Sequence, residues 1–345
     1  MPEQRVHVVP GGAARAVAAE VAGLGARRLM VVVSPSGAAD ERRVLDGLPV
    51  AHWHDDVVQH VPVLVAERAR AAAARHDVDA LVCVGGGSAT GLAKAVALAT
   101  GLPIVAVPTT YAGSEVTAVW GLTEGGRKIT GSDPRVLPVA VVYDAELTRS
   151  LPVPLSAVSG LNALAHAVDG LWAPHADDAT ARLASQGMEL LATALPQVVD
   201  DPTGLPGRSA LLEGAYLCAR SFAEAGSGLH HKICHVLGGR HDLPHAETHA
   251  VVLPHVVALN APGAPDAERR IAAALDGTSA TAGIEALWDR VAAPRSLRDL
   301  GFEREAIPGA VAAILPAVPA SNPVTVTAGE LTDLLLHAWE GAQPT

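Results

Sequence analysis

An α/β domain over residues 1–150, followed by an all-helical domain over 151–345, is the fold class the sequence predicts. Two observations predict it. Short runs apolar at every position alternate with helical stretches up to about residue 150. Such runs are typical of strands covered on both faces in a parallel sheet. Beyond Leu151-Pro152-Val153-Pro154 the stretches read as helices and none reads as a strand.

In order along the chain, the first run is Leu29–Val33 (LMVVV), closed by Ser34-Pro35-Ser36-Gly37. Residues 63–74 are helical by composition. Residues 79–84 (DALVCV) form a second run, followed by Gly85-Gly86-Gly87-Ser88 and an Ala-rich helix over 89–100. Residues 103–107 (PIVAV) end at Pro108-Thr109-Thr110, and 139–143 (VAVVY) form the fourth run. This alternation is that of right-handed crossovers over a parallel sheet. After the boundary, helices are expected over 157–171, 179–194, 209–225, 229–238, 248–259, 265–275, 280–292, 305–315 and 328–341. No internal repeat or low-complexity linker interrupts them. Two such domains in tandem create a cleft, a common ligand site.

Composition narrows the function. The chain has 345 residues, 49 % hydrophobic and 18 % charged, with 25 Lys+Arg against 36 Asp+Glu and a net charge of −11. This is a globular profile, and the acidity without a basic cluster argues against nucleic acid or an anionic membrane as partner. No apolar run reaches the roughly 18–20 residues of a membrane helix. The start MPEQRVHVVPGG lacks a signal-peptide pattern, so a cytoplasmic location is expected. Cys83, Cys218 and Cys234 lie in apolar segments without CxxC spacing and read as buried thiols of a reducing compartment.

The strand–GGGS–helix segment is a phosphate-binding arrangement: glycines admit an anion close to the backbone, and free N–H groups at the helix N-terminus attract it. Ser88 could cap the helix or donate to a phosphate oxygen. It is neither GxGxxG nor a Walker A loop. Thr109-Thr110 and Gly113-Ser114 follow the next strand, and two such loops at successive strand ends fit a dinucleotide lying across a parallel sheet. Ser34 ends the first strand, where many dinucleotide folds place an acid for the ribose diol, so the sequence does not choose between NADH and NADPH.

Fifteen histidines are unevenly placed. Asn162 and His166 are four apart and share a helix face, as do His231 and His235, while His245 follows after Gly238-Gly239 and Pro244. Imidazoles from two helices and a turn can converge on one divalent ion, or serve as proton donors. His175, His241, His249 and His255 read as bystanders. His52, His54, His60 and His76 read as surface residues of the first domain.

At these blocks the chain resembles the iron-dependent alcohol dehydrogenase superfamily and, within it, the maleylacetate reductase branch. The matching segments are GGGSATGLAKAVAL (85–98), PTTYAGSE (108–115), WGLTEGGRK (120–128), DPRVLP (133–138), SGLNALAHAVD (159–169), LHHKICHVLGG (229–239), LPHAETHAVVLPH (243–255) and SLRDLG (296–301). The resemblance implies the dehydroquinate synthase-like fold, with the active site between an N-terminal dinucleotide-binding domain and a helical domain. It implies Gly85, Gly86, Gly87 and Ser88 on the pyrophosphate, with Thr109, Thr110, Ser114 and Ser34 completing the cofactor site. In metal-bearing members an Asp and three His bind the ion; His166, His231 and His245 match the three His, while Asn162 takes the Asp position, which disfavours a divalent metal. His235 matches the histidine close to the nicotinamide. Lys128 either adds positive charge near cofactor or substrate, or is a surface residue in a turn. Tyr111 either lines the pocket or packs.

The implied activity is NADH- or NADPH-dependent reduction of an unsaturated or carbonyl acid in aromatic-compound catabolism, by a homodimer acting on a small molecule. Three positions depart from the branch: Ser132, Val139 and Val324 stand where it usually carries arginine. Lys128, Arg135, Lys232 and Arg240 are the remaining candidate cations. The departures point to an alternative, a repurposed biosynthetic reductase taking a less anionic enone, aldehyde or ketone. A sugar-phosphate cyclase-type lyase is disfavoured by Asn162 and the missing arginines.

Overall fold

The computed structural model describes residues 4–34, 42–125 and 127–344. The chain divides into two compact units, Met1–Leu151 and Pro152–Thr345.

The first unit is built on six parallel strands, β1 (Arg5–Val8), β2 (Leu29–Val33), β3 (Val50–His54), β4 (Ala80–Gly85), β5 (Ile104–Pro108) and β8 (Ala140–Tyr143), in the order β1-β8-β5-β4-β2-β3. The four central strands are buried at every residue, which is why they read as unbroken apolar runs. The edge strands β1 and β3 are half-exposed and carry His and Arg, so no apolar run announces them. A separate antiparallel ribbon, β6 (Val119–Glu124) with β7 (Arg127–Ser132), was likewise not expected; none of the six β6 residues is buried. Helices Ala13–Gly23, Val63–Arg75 and Gly87–Thr100 accompany the sheet. Asp144, just past β8, accepts from the backbone N–H of Gly11 (2.9 Å) and Ala13 (3.0 Å), so one carboxylate ties the turn after β1 to the end of β8.

Three details of the first unit correct expectation. The helix after β4 starts at Gly87 with Gly86 as N-cap and no side-chain cap, so Ser88 lies inside the first turn and does not cap it. His54 is buried rather than a surface residue, and His52 stacks on His76 with ring centroids 4.6 Å apart. Lys128 sits on β7, not in a turn.

The second unit contains helices Val153–Gly170, Asp178–Asp200, Leu205–Ala225, Leu229–His241, His245–Asn260, Pro265–Ala274, Ala280–Arg290, Ile307–Ile314 and Ala328–Glu340, with no strand among the described residues. Two of them begin earlier than expected because proline opens them. Pro154 in the first turn of Val153–Gly170 and Pro206 in that of Leu205–Ala225 occupy positions where a missing N–H costs nothing. Val153–Gly170 is buried from Ser156 to its end, and Asp169 is its only carboxylate. It therefore runs through the middle of this unit as an apolar rod carrying a few polar groups. No helix among the described residues is long and apolar enough to cross a membrane.

Candidate active site

In the first unit, Gly85 pairs with Pro108 in the β4–β5 register, so the GGGS loop and Thr109-Thr110 lie side by side at the carboxyl ends of adjacent strands. The Thr109 N–H donates to the Gly85 carbonyl at 3.0 Å. Gly85 has φ +145°, which favours glycine. A Cβ on Gly86 would stand 3.0 Å from Thr110 Cγ2 and 3.2 Å from its Oγ1; one on Gly87 would stand 3.3 Å from the Ala112 Cβ. The glycines thus keep open a backbone cradle beside the Thr110 hydroxyl. Ser88 and Thr110 are half-buried, Thr109 and Tyr111 buried, and Ser34 half-buried directly after β2.

Lys94 holds the neighbouring segment in place. Its buried ammonium donates to the carbonyls of Ser114 (2.6 Å), Thr117 (2.7 Å) and Val119 (2.8 Å), which moors the Ser114–Val116 turn to the helix behind the loop. The Lys128 side chain lies over Gly121 on the β6–β7 ribbon. Arg135 is engaged as a fork on Asp133 at 2.7–3.1 Å, which occupies its guanidinium with a carboxylate of the same chain.

In the second unit the polar groups gather where Val153–Gly170, Leu229–His241 and His245–Asn260 come together. The His231 Nδ1 stands 2.6 Å from Asp169 Oδ2, with both residues buried. The same oxygen accepts the backbone N–H groups of Gly228 (3.0 Å) and His231 (3.2 Å), and Oδ1 accepts Trp172 Nε1 at 3.2 Å. Asp169 therefore caps the N-terminus of Leu229–His241 from another helix, satisfying N–H groups that the helix itself cannot. A Cβ at position 228 would come 2.5 Å from Asp169 Oδ1, so only glycine admits the carboxylate there. Burial alone would raise the pKa of Asp169, but the hydrogen bond from His231 and that side chain's charge bring it down to about 2, so it is a fixed anion at neutral pH.

His166 stacks on His231 with centroids 5.0 Å apart, and Phe222 packs against both rings at 4.9 and 4.3 Å. Burial, with His231 adding to it, pulls the His166 pKa well below the usual imidazole value and keeps it neutral. His230 and His249 are hydrogen-bonded through Nε2 and Nδ1 at 3.0 Å, and burial lowers both, His230 to about 3. His249 rests on His245 at 4.4 Å, and the half-buried His235 lies edge-on to His231 at 6.0 Å.

Five buried side-chain atoms along this cluster lack a hydrogen-bond partner: Asn162 Oδ1, His166 Nδ1, His230 Nδ1, His231 Nε2 and His249 Nε2. Buried polar atoms left unpaired are costly, so this is a place built to meet a polar ligand.

Of the residues expected from sequence, Asn162, His166, His231, His235 and His245 therefore belong to this unit's polar cluster, and the loop residues with Ser114 to the first unit. His245 opens a helix rather than standing in a turn, and it reaches the cluster through His249. His249, set aside as a bystander, is a member. Of the other three, His255 is buried elsewhere, His241 packs on Phe302, and His175 is exposed. Asp169 was missed. Its signal was present: a lone carboxylate in an apolar helix, three residues after His166 and so on the same face.

Among the described residues, one group of three metal-ligating side chains brings its donor atoms within 4.8 Å of one another, and it is His230, Cys234 and His249, not the expected trio.

Comparison with known proteins follows the same division. Residues 5–145 match the iron-containing alcohol dehydrogenase family and residues 156–339 its C-terminal region. The chain is 42 % identical over 340 residues to maleylacetate reductase of Burkholderia cepacia, covering 98 % of this chain and 96 % of that one. It superposes on an iron-containing alcohol dehydrogenase from Corynebacterium glutamicum with TM-score 0.94 at 53 % identity, covering 97 % and 94 % of the two chains. With a maleylacetate reductase from a Rhizobium species the TM-score is 0.91 at 40 % identity, covering 100 % and 98 %. Matched across both of its units, in sequence and in fold, the chain belongs to the iron-containing alcohol dehydrogenase family.

Proposed function

We propose that this chain is an NAD(P)H-dependent maleylacetate reductase. One observation carries the reading beyond the likeness to Burkholderia cepacia maleylacetate reductase. It is a buried imidazole, His231, oriented by an ionised carboxylate and presenting an unpartnered Nε2. That is the equipment of a proton donor.

The cradle at Gly86, which a Cβ would fill, fits the pyrophosphate of a nicotinamide dinucleotide. When bound, the reduced nicotinamide supplies hydride to the alkene carbon conjugated to the substrate's carbonyl. Gly85, Gly86, Gly87 and Ser88 hold phosphate oxygens through backbone N–H groups, with Thr109, Thr110 and Ser114 beside them. Ser34 stands at the ribose end. Asp169 keeps the Nδ1 proton of His231 in place, so the transferable proton is the one on Nε2. It goes to the carbon next to the one receiving hydride. Neutral His166 and the Asn162 amide bind the acceptor's oxygen and orient it. His235 and His245 stand in the same polar cluster as His231, while Tyr111 and Lys128 belong to the unit that carries the cradle.

The family's name implies iron, but the residues present do not fit it. Asn162 brings an amide where a hard ion wants anionic oxygen, and His166, His231 and His245 are not among the side chains whose donor atoms converge. The chemistry is therefore assigned to His231 and Asp169.

The test is steady-state NADH and NADPH oxidation with maleylacetate. Efficient, stoichiometric turnover with a low KM supports the reading. Turnover of an uncharged enone or aldehyde in its place would favour a less anionic substrate, as the engagement of Arg135 by Asp133 suggests. Absence of any NAD(P)H oxidation would remove reductase activity altogether.

A further inference from the structure

We infer that His230, Cys234 and His249 form a second binding site, for a soft divalent cation such as Zn²⁺, separate from the proton-donating pair. His230 and Cys234 are one helical turn apart on Leu229–His241, and His249 faces them from His245–Asn260. All three are buried, at 0, 1 and 0 % exposure.

The spacing is that of a coordination shell. His230 Nε2 lies 3.0 Å from His249 Nδ1 and 3.7 Å from Cys234 Sγ. Zn–N bonds of about 2.0–2.1 Å and a Zn–S bond of about 2.3 Å give tetrahedral edges of about 3.3 Å between nitrogens and about 3.6 Å between nitrogen and sulfur. Both separations are within a few tenths of an ångström of those edges, so small ring rotations suffice to admit an ion.

Chemistry selects the ion. Two imidazoles and a thiolate suit zinc and other soft cations, and the absence of a carboxylate oxygen disfavours magnesium, calcium and ferrous iron. On binding, Cys234 releases its thiol proton and the two imidazoles coordinate in their neutral form, leaving their other nitrogens protonated. The hydrogen bond between His230 and His249 also breaks, the ring that donated it moving that proton to its other nitrogen, and no electron is transferred. Without the ion, His230 Nε2 is approached by two neighbours and can serve as acceptor or donor to only one of them at a time. The site lies beside His231, whose ring centroid is 5.3 Å from His230 and 4.8 Å from His249. A bound cation would clamp the helix carrying His231 to the helix carrying His245.

Because the donors are buried, the ion must enter as the chain folds. The experiment is therefore growth in zinc-depleted, cobalt-supplemented medium and purification of the full chain. Cobalt bound through Cys234 gives a near-ultraviolet thiolate-to-metal charge-transfer band together with tetrahedral visible bands. The expected result is one cobalt per chain with that band in the wild type. In C234S the charge-transfer band is lost and cobalt content falls. H166Q and C218S keep both. A wild-type protein without the charge-transfer band overturns the site whether or not C234S folds. So does a band that persists in C234S or disappears in H166Q. None of these readouts depends on maleylacetate turnover, so failure here is distinct from failure of the proposed activity.

Discussion

Asp169 acts through His231, and that makes it a sharp test at the level of single residues. Replacing it with Asn keeps the shape but removes the anion that fixes the Nδ1 proton and supports a charged ring. Asp169→Asn should lower kcat on the order of a hundredfold, the scale of one proton-transfer contribution, with KM little changed. An unchanged kcat would leave Asp169 as a helix cap and nothing more. Asn162 poses the reverse experiment. Asn162→Asp supplies the missing anionic oxygen beside His166, and iron content after dialysis should rise from background toward one per chain. Content that stays at background would mean the geometry, not the amide, excludes the ion. Asn162, His166 and His231 could be read from sequence because helical spacing puts polar groups on one face of an apolar segment. Asp169 could not be paired with His231, since their contact joins two helices distant in sequence. His249 was hidden for the same reason.

Among elements, the turn from β4 into Gly87–Thr100 is the one proposed to hold the dinucleotide. Gly86→Asp places a Cβ against Thr110 and a carboxylate where phosphate is expected. NADH binding, followed by nicotinamide fluorescence titration, should become undetectable while circular dichroism stays native. Undiminished affinity would move the cofactor away from this loop. The four central strands were legible as unbroken apolar runs, and the helices of the second unit as stretches without any strand signal. The edge strands β1 and β3 and the β6–β7 ribbon were not. Half-exposed, with polar side chains mixed in, they take their structure from the strand beside them and not from a pattern of their own. The helices Val153–Gly170 and Leu205–Ala225 start ahead of their expected positions because Pro154 and Pro206 fit the first turn.

For the whole molecule, buried neutral histidines set the response to acid. Burial brings His255 down to about 4 and His230 to about 3, and lowers His166 and His249 as well. Their folded values lie below the unfolded one of about 6.5. The unfolded chain therefore binds protons that the native state refuses. The stability these groups allow is complete above pH about 6.5 and falls as pH drops toward their folded values. Each contributes a slope of about 1.4 kcal/mol per pH unit in that window. Asp169 adds a later loss, as pH falls from its usual 3.8 toward about 2. Urea denaturation midpoints should hold near neutrality and decline steeply between pH 6 and pH 4. A flat series over that range would mean these rings are hydrated in solution.

The sheet order also imposes a sequence in time. β1 has one neighbour, β8, with Arg5 opposite Ala140. The first strand to leave the ribosome is thus the last to find its place. At about 5–20 residues per second, it waits on the order of ten seconds for its partner to be made. Until then β2, β4 and β5 can assemble while β1 trails as unpaired chain. Nascent chains arrested before residue 139 should be clipped by protease within the first ten residues, and chains arrested well after Asp144 should resist. The carboxylate of Asp144, which closes over the turn after β1, then works as the latch that ends the wait.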